Sequence, residues 1–352
     1  MNDTLKEFSG RVKELIGYSR SPTKRKLVDV NLIVNPNAGR FRRQTTIGGI
    51  VKGLEEEIIR IKDSDHYLRY IHFNEYITEF QGHATELAQQ IAETPTDGAY
   101  KLIIVASGDG GYNEACSGVL KARHPTKDIR FLHVPLGSGN DTAEVKDIKQ
   151  SYELITGSHN IKKANAVRIS DDTGDVTYAC NIASIGIDGY VAHVANEIKK
   201  VFGETSYWVA SKIAPISYYL ENPGSRIDFF TVYSLKNRLN CESYQSNHLI
   251  TAIGAKGYSE YGHGMKILPD ERNVCTVQHM NLLRLLQNEP IFYKGQHEIL
   301  PEVHFYKSNR IEFRSTQPLW LQRDGQTTHV SLKQYPLIFE MVENCINTVI
   351  PE

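Results

Sequence analysis

Residues 101–121 read KLIIVASGDGGYNEACSGVLK, and this stretch decides the fold. It begins with Lys101 to Ala106, in which the apolar run from Leu102 onward indicates a buried strand. A glycine-rich segment, Ser107 to Gly111, follows, and Asn113 to Lys121 then has the pattern of a helix. The stretch therefore predicts a strand, a tight loop and a helix in succession.

The same alternation of strand and helix continues on both sides of this stretch. The predicted strands are 27–34, 67–73, 101–106 and 129–134, and the predicted helices are 46–61, 83–92 and 113–121. Such alternation predicts a doubly wound parallel sheet, with helices on both faces. After about residue 160 the pattern changes to short β-type runs, such as 226–233, 248–253, 311–313 and 319–322, with helical stretches near 189–200 and 206–220. It predicts a second domain of antiparallel strands, and we divide the chain into 1–26, 27–150, 151–335 and 336–352.

Composition excludes several classes of protein. The 352 residues are 40% hydrophobic and 23% charged, as in an ordinary globular protein of about two domains. A net charge of −1 gives no reason to expect a nucleic acid as partner. No apolar run approaches the roughly 18 residues of a membrane span, and the polar start MNDTLKEFSG lacks the core of a signal peptide. Five scattered cysteines without a CxxC pair indicate a reduced, cytoplasmic protein.

The N-terminal extension, residues 1–26, carries seven Lys and Arg against three acids. Apolar residues recur in it at nearly helical spacing, namely Leu5, Phe8, Val12, Leu15 and Ile16. A basic amphipathic helix can lie on an anionic membrane. A helix that docks on its own domain has the same stripe, and this interpretation is favoured.

Three polar loops follow the predicted strands, and ligands of open α/β sheets bind at the carboxyl ends of strands. The loops are NPNAGR at 35–40, SGDGG at 107–111 and PLGSGND at 135–141. Glycines let backbone N–H groups approach an anion, and the start of a helix adds partial positive charge. An acid within such a loop, Asp109, is repelled by phosphate unless Mg²⁺ lies between them, so Asp109 indicates Mg²⁺-nucleotide chemistry.

Other nucleotide and hydrolase motifs are missing from the sequence. There is no GxxxxGK[ST] loop and no GxGxxG after the first strand. The GxSxG and HExxH motifs are absent as well.

Seven motifs, in order along the chain, resemble those of the diacylglycerol kinase catalytic-domain superfamily, which includes bacterial soluble lipid kinases and sphingosine kinases. SGDGGYNE at 107–114 is similar to the family's GGDGT-x-NE, and RDGQ at 323–326 to its late DGE. The other five are NPNAG at 35–39, TEFQGHATELA at 78–88, PLGSGNDTA at 135–143, NIASIGIDGYV at 181–191 and GHGMKILPD at 262–270. The resemblance thus covers nearly the whole chain.

The resemblance implies a nucleotide-binding α/β domain followed by a β-sandwich-like domain, with the active site in the cleft between them. It implies transfer of the γ-phosphoryl group of ATP to a lipid hydroxyl, with Mg²⁺ on Asp109. The glycine loop would hold the phosphates, and Thr78 would lie near the ribose or adenine. The positions that match the nucleotide motifs are Asn35, Gly39, Arg40, Thr78, Ser107, Gly108, Asp109, Gly110, Gly111, Glu114, Gly137, Asn140 and Asp141.

The resemblance leaves the catalytic base open between two aspartates. Asp324 matches the proposed base of the bacterial lipid kinases, whereas the sphingosine kinase branch gives that role to the position of Asp109. On the acceptor side, Asp188 matches an acid that recognises the lipid headgroup, and Lys200 matches a basic residue near the phosphate path. The lipid itself, whether diacylglycerol-like or sphingoid, stays open.

Two departures from the family pattern support a competing hypothesis. Gly111 replaces the usual Thr, and Gln326 replaces the usual Glu. A pseudokinase that binds nucleotide or lipid is therefore an alternative, and a soluble-substrate kinase related to NAD kinases is another. The favoured hypothesis is a cytoplasmic ATP-dependent lipid kinase at the membrane surface, with no nucleic acid as partner. A homodimer is an option, because members of the family often pair.

Overall fold

The computed structural model describes residues 3–18, 28–41, 44–62, 71–96, 100–125, 128–137, 140–156, 159–202, 205–221, 227–235, 238–255 and 272–352. The chain forms two compact units. The first contains residues 1–164 and 344–352, and the second contains residues 165–343. The domain bounds inferred from the sequence stay a prediction.

The first unit alternates strands and helices, as the sequence predicts. Its elements are α1 (Asp3–Gly17), β1 (Val28–Val34), α2 (Gln44–Lys62), β2 (Ile71–Ile77), α3 (His83–Glu93), β3 (Tyr100–Ser107), α4 (Asp109–Lys121), β4 (Ile129–Pro135) and α5 (Ile148–Thr156). The strands pair in parallel in the order β2-β1-β3-β4. The register aligns Val34 with Ala106, and Ser107 with Pro135, so the loops after β1, β3 and β4 leave the same edge of the sheet.

The amphipathic helix α1 docks on this unit. Its five apolar residues are at most 6% exposed and pack in one cluster with residues of α2, α5 and the sheet. The Phe8 ring meets Phe41 edge-on, with 5.2 Å between centroids, and Arg11 pairs with Glu55 at 2.6 Å. The docking interpretation is confirmed for residues 3–17, while residues 19–27 lie outside the described chain.

Three elements have bounds that differ clearly from the prediction. The strand expected at 248–253 begins at Arg238 instead, because residues 238–248 pair with the strand Ile227–Leu235. The second strand was expected at 67–73 but is found at Ile71–Ile77, and residues 63–70 are not described. Because β2 pairs only with β1 among the described strands, several of its side chains are exposed and its apolar pattern is weak. Helix α4 was expected from Asn113 but begins at Asp109, so the glycine loop forms the first turn of the helix.

The described part of the second unit is dominated by antiparallel strands and contains three α-helices. Its elements are β5 (Asn160–Ser170), β6 (Val176–Ala179), β7 (Ile182–Gly186), α6 (Ile187–Phe202), α7 (Ser206–Glu221), β8 (Ile227–Leu235), β9 (Arg238–Gly254), β10 (Val274–Gln278), α8 (Leu282–Tyr293), β11 (Val303–Tyr306), β12 (Arg310–Arg314), β13 (Leu319–Arg323), β14 (Gln326–Val330) and β15 (Leu337–Ile350). Residues 160–164 of β5 and residues 344–350 of β15 belong to the first unit. There, Asn347 and Thr348 pair in parallel with β4.

Side by side in the sheet, the strands of the second unit lie in the order β14-β13-β7-β9-β8-β12-β15. Strand β10 also pairs with β9, and β11 pairs with β10. The predicted fold class, a parallel α/β domain followed by an antiparallel β-rich domain, is confirmed. The position of an active site in a cleft stays a prediction. In the described part of the chain, no helix has both the length and the apolar character that crossing a bilayer requires.

The second unit contains a histidine that is buried among aromatic rings. His297 is 2% exposed, and neither of its ring nitrogens has a hydrogen-bond partner among the described residues. Its ring lies between Phe292 and Phe305, at centroid distances of 5.2 and 5.8 Å. Burial lowers the pKa of His297 to about 4, because the charged imidazolium would lose its hydration.

Replacing His297 with Leu should make stability less dependent on pH. The unfolded chain binds a proton near pH 6.5 and the folded chain only near pH 4, so stability falls as pH falls between these values. The histidine should cost the wild type about 2 kcal/mol between pH 7.5 and pH 5. Urea unfolding followed by tryptophan fluorescence reports on this unit, because both tryptophans, Trp208 and Trp320, lie in it. Equal losses in wild type and H297L would contradict the assignment.

Candidate functional site

Backbone hydrogen bonds tie together the loops at the carboxyl edge of the parallel sheet. They run from Asn35 N to Ala106 O, from Thr78 N to Val34 O, from Leu136 N to Ser107 O and from Arg40 N to Leu136 O, at 2.8–3.0 Å. Gly39 lies within the turn of the first loop. The structure therefore brings together predicted residues from four strands that are far apart in sequence.

Two of these loops touch backbone to backbone. A Cβ atom added at Gly137 would lie 2.5 Å from Gly108 Cα, and one added at Gly108 would lie 2.9 Å from Gly137 Cα. No other residue fits at either position without a shift of backbone. The contact brings the loop after β4 against the first turn of α4.

The start of α4 presents backbone donors at this edge. Its first intrahelical hydrogen bond runs from Tyr112 N–H to Gly108 O, at 3.2 Å. The N–H groups of Asp109, Gly110 and Gly111 therefore have no carbonyl partner within the helix. Three such N–H groups, together with the helix dipole, favour an anion.

Asn140 fixes the loop after β4. It has a φ of 57°, and its side chain closes the loop by accepting from Gly137 N at 2.7 Å and donating to Gly137 O at 2.8 Å. Asp141, the next residue, pairs with Lys146 at 3.6 Å. Residues 138–139 of this motif lie outside the described chain.

The carboxylate of Asp109 is held through one oxygen. Its Oδ1 accepts from both the backbone N–H and the hydroxyl of Thr142, each at 2.7 Å. Its Oδ2 has no hydrogen-bond partner among the described residues. The sequence analysis did not identify Thr142 or His133, which lie close together in the fold. The sequence signal for Thr142 is a threonine inside the NDTA motif, and that for His133 is a polar residue inside the strand FLHVP.

Polar groups surround the start of α4. The half-buried guanidinium of Arg40 has no hydrogen-bond or ion-pair partner in the described ranges. The Nδ2 atom of Asn35 lies 3.8 Å from the position of an added Cβ at Gly111. Thr78 is buried, and Glu114 is half-buried on the second turn of α4.

Positions 107 and 111 share one space. A Cβ added at Gly111 would lie 2.8 Å from Ser107 Cβ and 2.9 Å from Ser107 Oγ. The Ser107 hydroxyl donates to Gly108 O at 2.8 Å. At positions 107 and 111 the related motif GGDGT has Gly and Thr, whereas this chain has Ser and Gly. The side chain that fills this space therefore comes from the end of β3 and not from α4.

Asp324 lies in the second unit, in the two-residue turn between β13 and β14. Asp324 and Gly325 have φ values of 47° and 81°, and Asp-Gly is the sequence that such a hairpin turn prefers. The carboxylate accepts four hydrogen bonds of 2.7–3.2 Å from the backbone N–H groups of residues 180–182. Both oxygens are thus occupied, and the geometry is that of a structural anchor.

Asp188 belongs to the same polar network. Its Oδ2 accepts from the Ser184 hydroxyl and from Gln322 Nε2, the latter at 3.3 Å. Gln322 Oε1 in turn accepts from Gly325 N at 3.0 Å. The structure therefore places both predicted acids of this unit around one hairpin turn.

Two other predicted features lie partly or wholly outside the described residues. The backbone of Lys200 lies in α6, but its side chain is outside the described part, as is the motif at 262–270. Among the aromatic residues of α7, Tyr218 is buried and Trp208 is exposed, so the stripe is part core and part surface.

Comparison with known families accounts for most of the chain. Residues 29–171 match the family described as "Diacylglycerol kinase catalytic domain", and residues 181–349 match "YegS C-terminal NAD kinase beta sandwich-like domain". The chain belongs to the diacylglycerol kinase catalytic-domain superfamily, a family of kinases that includes lipid kinases. The resemblance seen in the sequence is therefore confirmed.

Individual relatives are distant. The chain is 24% identical to "Putative lipid kinase YtlR" of Bacillus subtilis, over 84% of this chain and 92% of the relative. It is 23% identical to "Diacylglycerol kinase" of Staphylococcus carnosus, over 84% of this chain and 87% of the relative. A crystal structure of a diacylglycerol kinase from Bacillus anthracis str. Sterne has a TM-score of 0.55 at 15% identity, covering 94% and 97% of the two chains, and shows the shared fold.

The shared space between Ser107 and Gly111 predicts non-additive effects on stability. Gly111→Thr should lower the free energy of unfolding by about 1–3 kcal/mol, because the new side chain overlaps Ser107. The double variant S107G/G111T, which recreates the family motif, should recover most of that loss. Thermal unfolding of the wild type, both single variants and the double variant measures the coupling. A double variant less stable than G111T alone would contradict a shared space.

Proposed function

We propose that this protein is an ATP-dependent lipid kinase that uses Mg²⁺ and transfers the γ-phosphoryl group of ATP to a hydroxyl of a membrane lipid. The observation that carries the proposal is the N-terminus of α4. There, three backbone N–H groups, the Asp109 carboxylate and the Gly108–Gly137 contact meet at the carboxyl edge of the sheet. Membership of a lipid kinase family supports the same reaction.

The anionic part of ATP fits the groups at this edge. The N–H groups of residues 109–111 would bind phosphate oxygens, and the guanidinium of Arg40 would supply a positive charge. The backbone contact of Gly108 with Gly137 leaves no side chain over this part of the loop. Asn35 Nδ2 would add a neutral donor.

Mg²⁺ also fits the residues present. Mg²⁺ is usually held by one or two carboxylates together with substrate phosphates and water. Oδ2 of Asp109 supplies one such oxygen. When bound, Mg²⁺ would neutralise phosphate charge.

Asp109 suits the role of proton acceptor better than Asp324. An oxygen has two lone pairs, so Oδ2 of Asp109 can contact Mg²⁺ and still accept a hydrogen bond from the lipid hydroxyl. Asp324 would have to give up a backbone hydrogen bond to accept a proton. In the proposed step the oxygen of the lipid hydroxyl forms a bond to the γ-phosphorus of ATP, and the hydroxyl proton passes to Asp109. The bond between the γ-phosphorus and the oxygen that bridges it to the β-phosphate breaks, which releases ADP.

The presence of Ser107 in the space that a side chain at position 111 would occupy weakens the pseudokinase alternative. The departure Gly111 leaves no gap in the loop, because Ser107 fills the space. The loop therefore keeps one hydroxyl side chain next to the first turn of α4.

The two aspartates should respond differently to replacement by Asn. Asp109→Asn keeps an oxygen for both Thr142 bonds, so stability should stay the same, whereas phosphoryl transfer should fall roughly 10²- to 10³-fold. Asp324→Asn places an NH₂ group against backbone donors, so the free energy of unfolding should fall by about 2–3 kcal/mol. The assay is transfer of labelled phosphate from Mg²⁺-ATP to a panel of diacylglycerol, monoacylglycerol, sphingosine and ceramide in mixed micelles.

The panel also tests the reaction itself. NAD serves as the soluble control acceptor, and labelling of NAD but of no lipid would contradict a lipid kinase. An active D109N together with a stable, inactive D324N would reverse the assignment of the two aspartates.

We further propose that the outer face of α7 contacts the membrane that contains the lipid. Four large apolar side chains on this face, Trp208, Ile213, Ile216 and Leu220, are 44–75% exposed. They recur every three to five residues, while the opposite face of α7 is buried through Ala210, Ala214 and Tyr218. Exposed apolar side chains with a tryptophan are typical of interfacial helices.

Vesicles test this surface directly. On addition of phosphatidylglycerol vesicles, the emission of exposed Trp208 should shift to the blue, and the shift should be absent in W208F. Ile216→Glu should weaken vesicle binding, because it places a charge in the apolar surface. Ile59→Glu is the matched control, since Ile59 is an exposed isoleucine on α2 of the first unit. Equal binding by wild type and I216E would contradict the proposal.

A further inference from the structure

The Asp109 carboxylate is connected through Thr142 to a buried histidine. The Thr142 hydroxyl lies 2.7 Å from Asp109 Oδ1 and 3.1 Å from His133 Nδ1. Thr142 and His133 are 4% and 3% exposed, so the connection is shielded from water. It combines a residue of β4 with a residue of the following loop.

The histidine is fixed on its other side as well. Its Nε2 lies 3.1 Å from the carbonyl oxygen of Ser107. Because a carbonyl can only accept, Nε2 carries a proton and donates it. The single proton of the Thr142 hydroxyl is donated to Asp109 Oδ1, so the contact with His133 is a hydrogen bond when Nδ1 is protonated as well and donates to Thr142 Oγ1. The imidazole ring also stacks on Tyr112 of α4, with 4.6 Å between centroids and 16° between planes.

These contacts close a ring of hydrogen bonds around the start of α4. From Ser107 O the ring passes through His133 and Thr142 to Asp109, and Gly108 completes it along the backbone. A buried histidine is often only a satisfied core residue. His133 differs because it is connected, through Thr142, to the carboxylate of the candidate site.

The ring limits what the carboxylate can do. Two donors from Thr142 occupy Oδ1, which sets the plane of the carboxylate and leaves Oδ2 for other partners. Without the hydroxyl, only the backbone N–H of Thr142 would hold Oδ1, so the orientation of the carboxylate would be less restricted before each turnover. Preorganised groups of this kind contribute to rate because their orientation is set before the reaction.

We propose that Thr142 and His133 are positioning residues that orient Asp109 for phosphoryl transfer. This inference rests on the proposed role of Asp109. Both act through the carboxylate, and neither is assigned a contact with the reacting groups. A defect in them should therefore appear in kcat and in the effect of Mg²⁺ rather than in binding of ATP itself.

The test compares Thr142→Val, which removes the hydroxyl and keeps the backbone bond, with Thr142→Ser, which keeps both. In the lipid transfer assay T142V should lower kcat about 10- to 100-fold with KM for ATP changed less than about threefold. T142S should recover most of the activity, and His133→Phe should resemble T142V. The matched control is Thr276→Val, because Thr276 is fully buried in the second unit and its hydroxyl has no hydrogen-bond partner among described residues.

A second measurement separates this inference from the proposed function. Calorimetry measures the Kd for ATP in the absence and in the presence of Mg²⁺, and the first value divided by the second gives the effect of Mg²⁺ on binding. T142V should reduce this ratio, and T142S should leave it unchanged. If the wild type binds Mg²⁺-ATP but transfers no phosphate, the kinase proposal fails and this ratio alone decides the inference. If the wild type is active and T142V equals T142S in kcat and in the ratio, the inference is overturned and the kinase proposal stands. A wild type that binds no Mg²⁺-ATP overturns both.

Discussion

The contact of Gly108 with Gly137 is the constraint on which the candidate site depends. Strands β3 and β4 end side by side, and their following loops can meet only if neither carries a Cβ at these positions. The contact sets the loop after β4, including Asn140 and Thr142, against the first turn of α4. Thr142 is thereby in place to hold Asp109, and the three N–H groups at the start of the helix are left for a ligand.

The second unit shows how the same residue type can have a different physical role. Asp324 lies in a motif that resembles a catalytic one, yet its positive φ suits a tight turn, and its four hydrogen bonds anchor that turn to the backbone of residues 180–182. Asp109 has the opposite character, with one oxygen bonded and one available. A motif identifies the residue, and the hydrogen bonds of the carboxylate distinguish an anchor from a reactive group.

Much of the fold follows from the sequence. Strands β1, β3 and β4 are mostly apolar because they are buried on both faces, and Phe8 and its neighbours on α1 mark a docking face by their spacing. The exposed edge strand β2 and the helical glycines at 110–111 were misplaced, because an edge strand lacks the apolar run and glycine normally argues against helix. The ring through His133 could not be predicted, since it joins residues that only the folded sheet brings together.

In the proposed function, the start of α4 holds the phosphates of ATP. Hydrogen exchange of the whole protein with and without Mg²⁺-ATP measures this directly, because bound phosphate oxygens would protect the donating amides. Slower exchange at residues 109–111 and in the loops at 35–41 and 136–142 is the predicted result. Protection confined to the second unit, with exchange at residues 109–111 unchanged, would contradict the account.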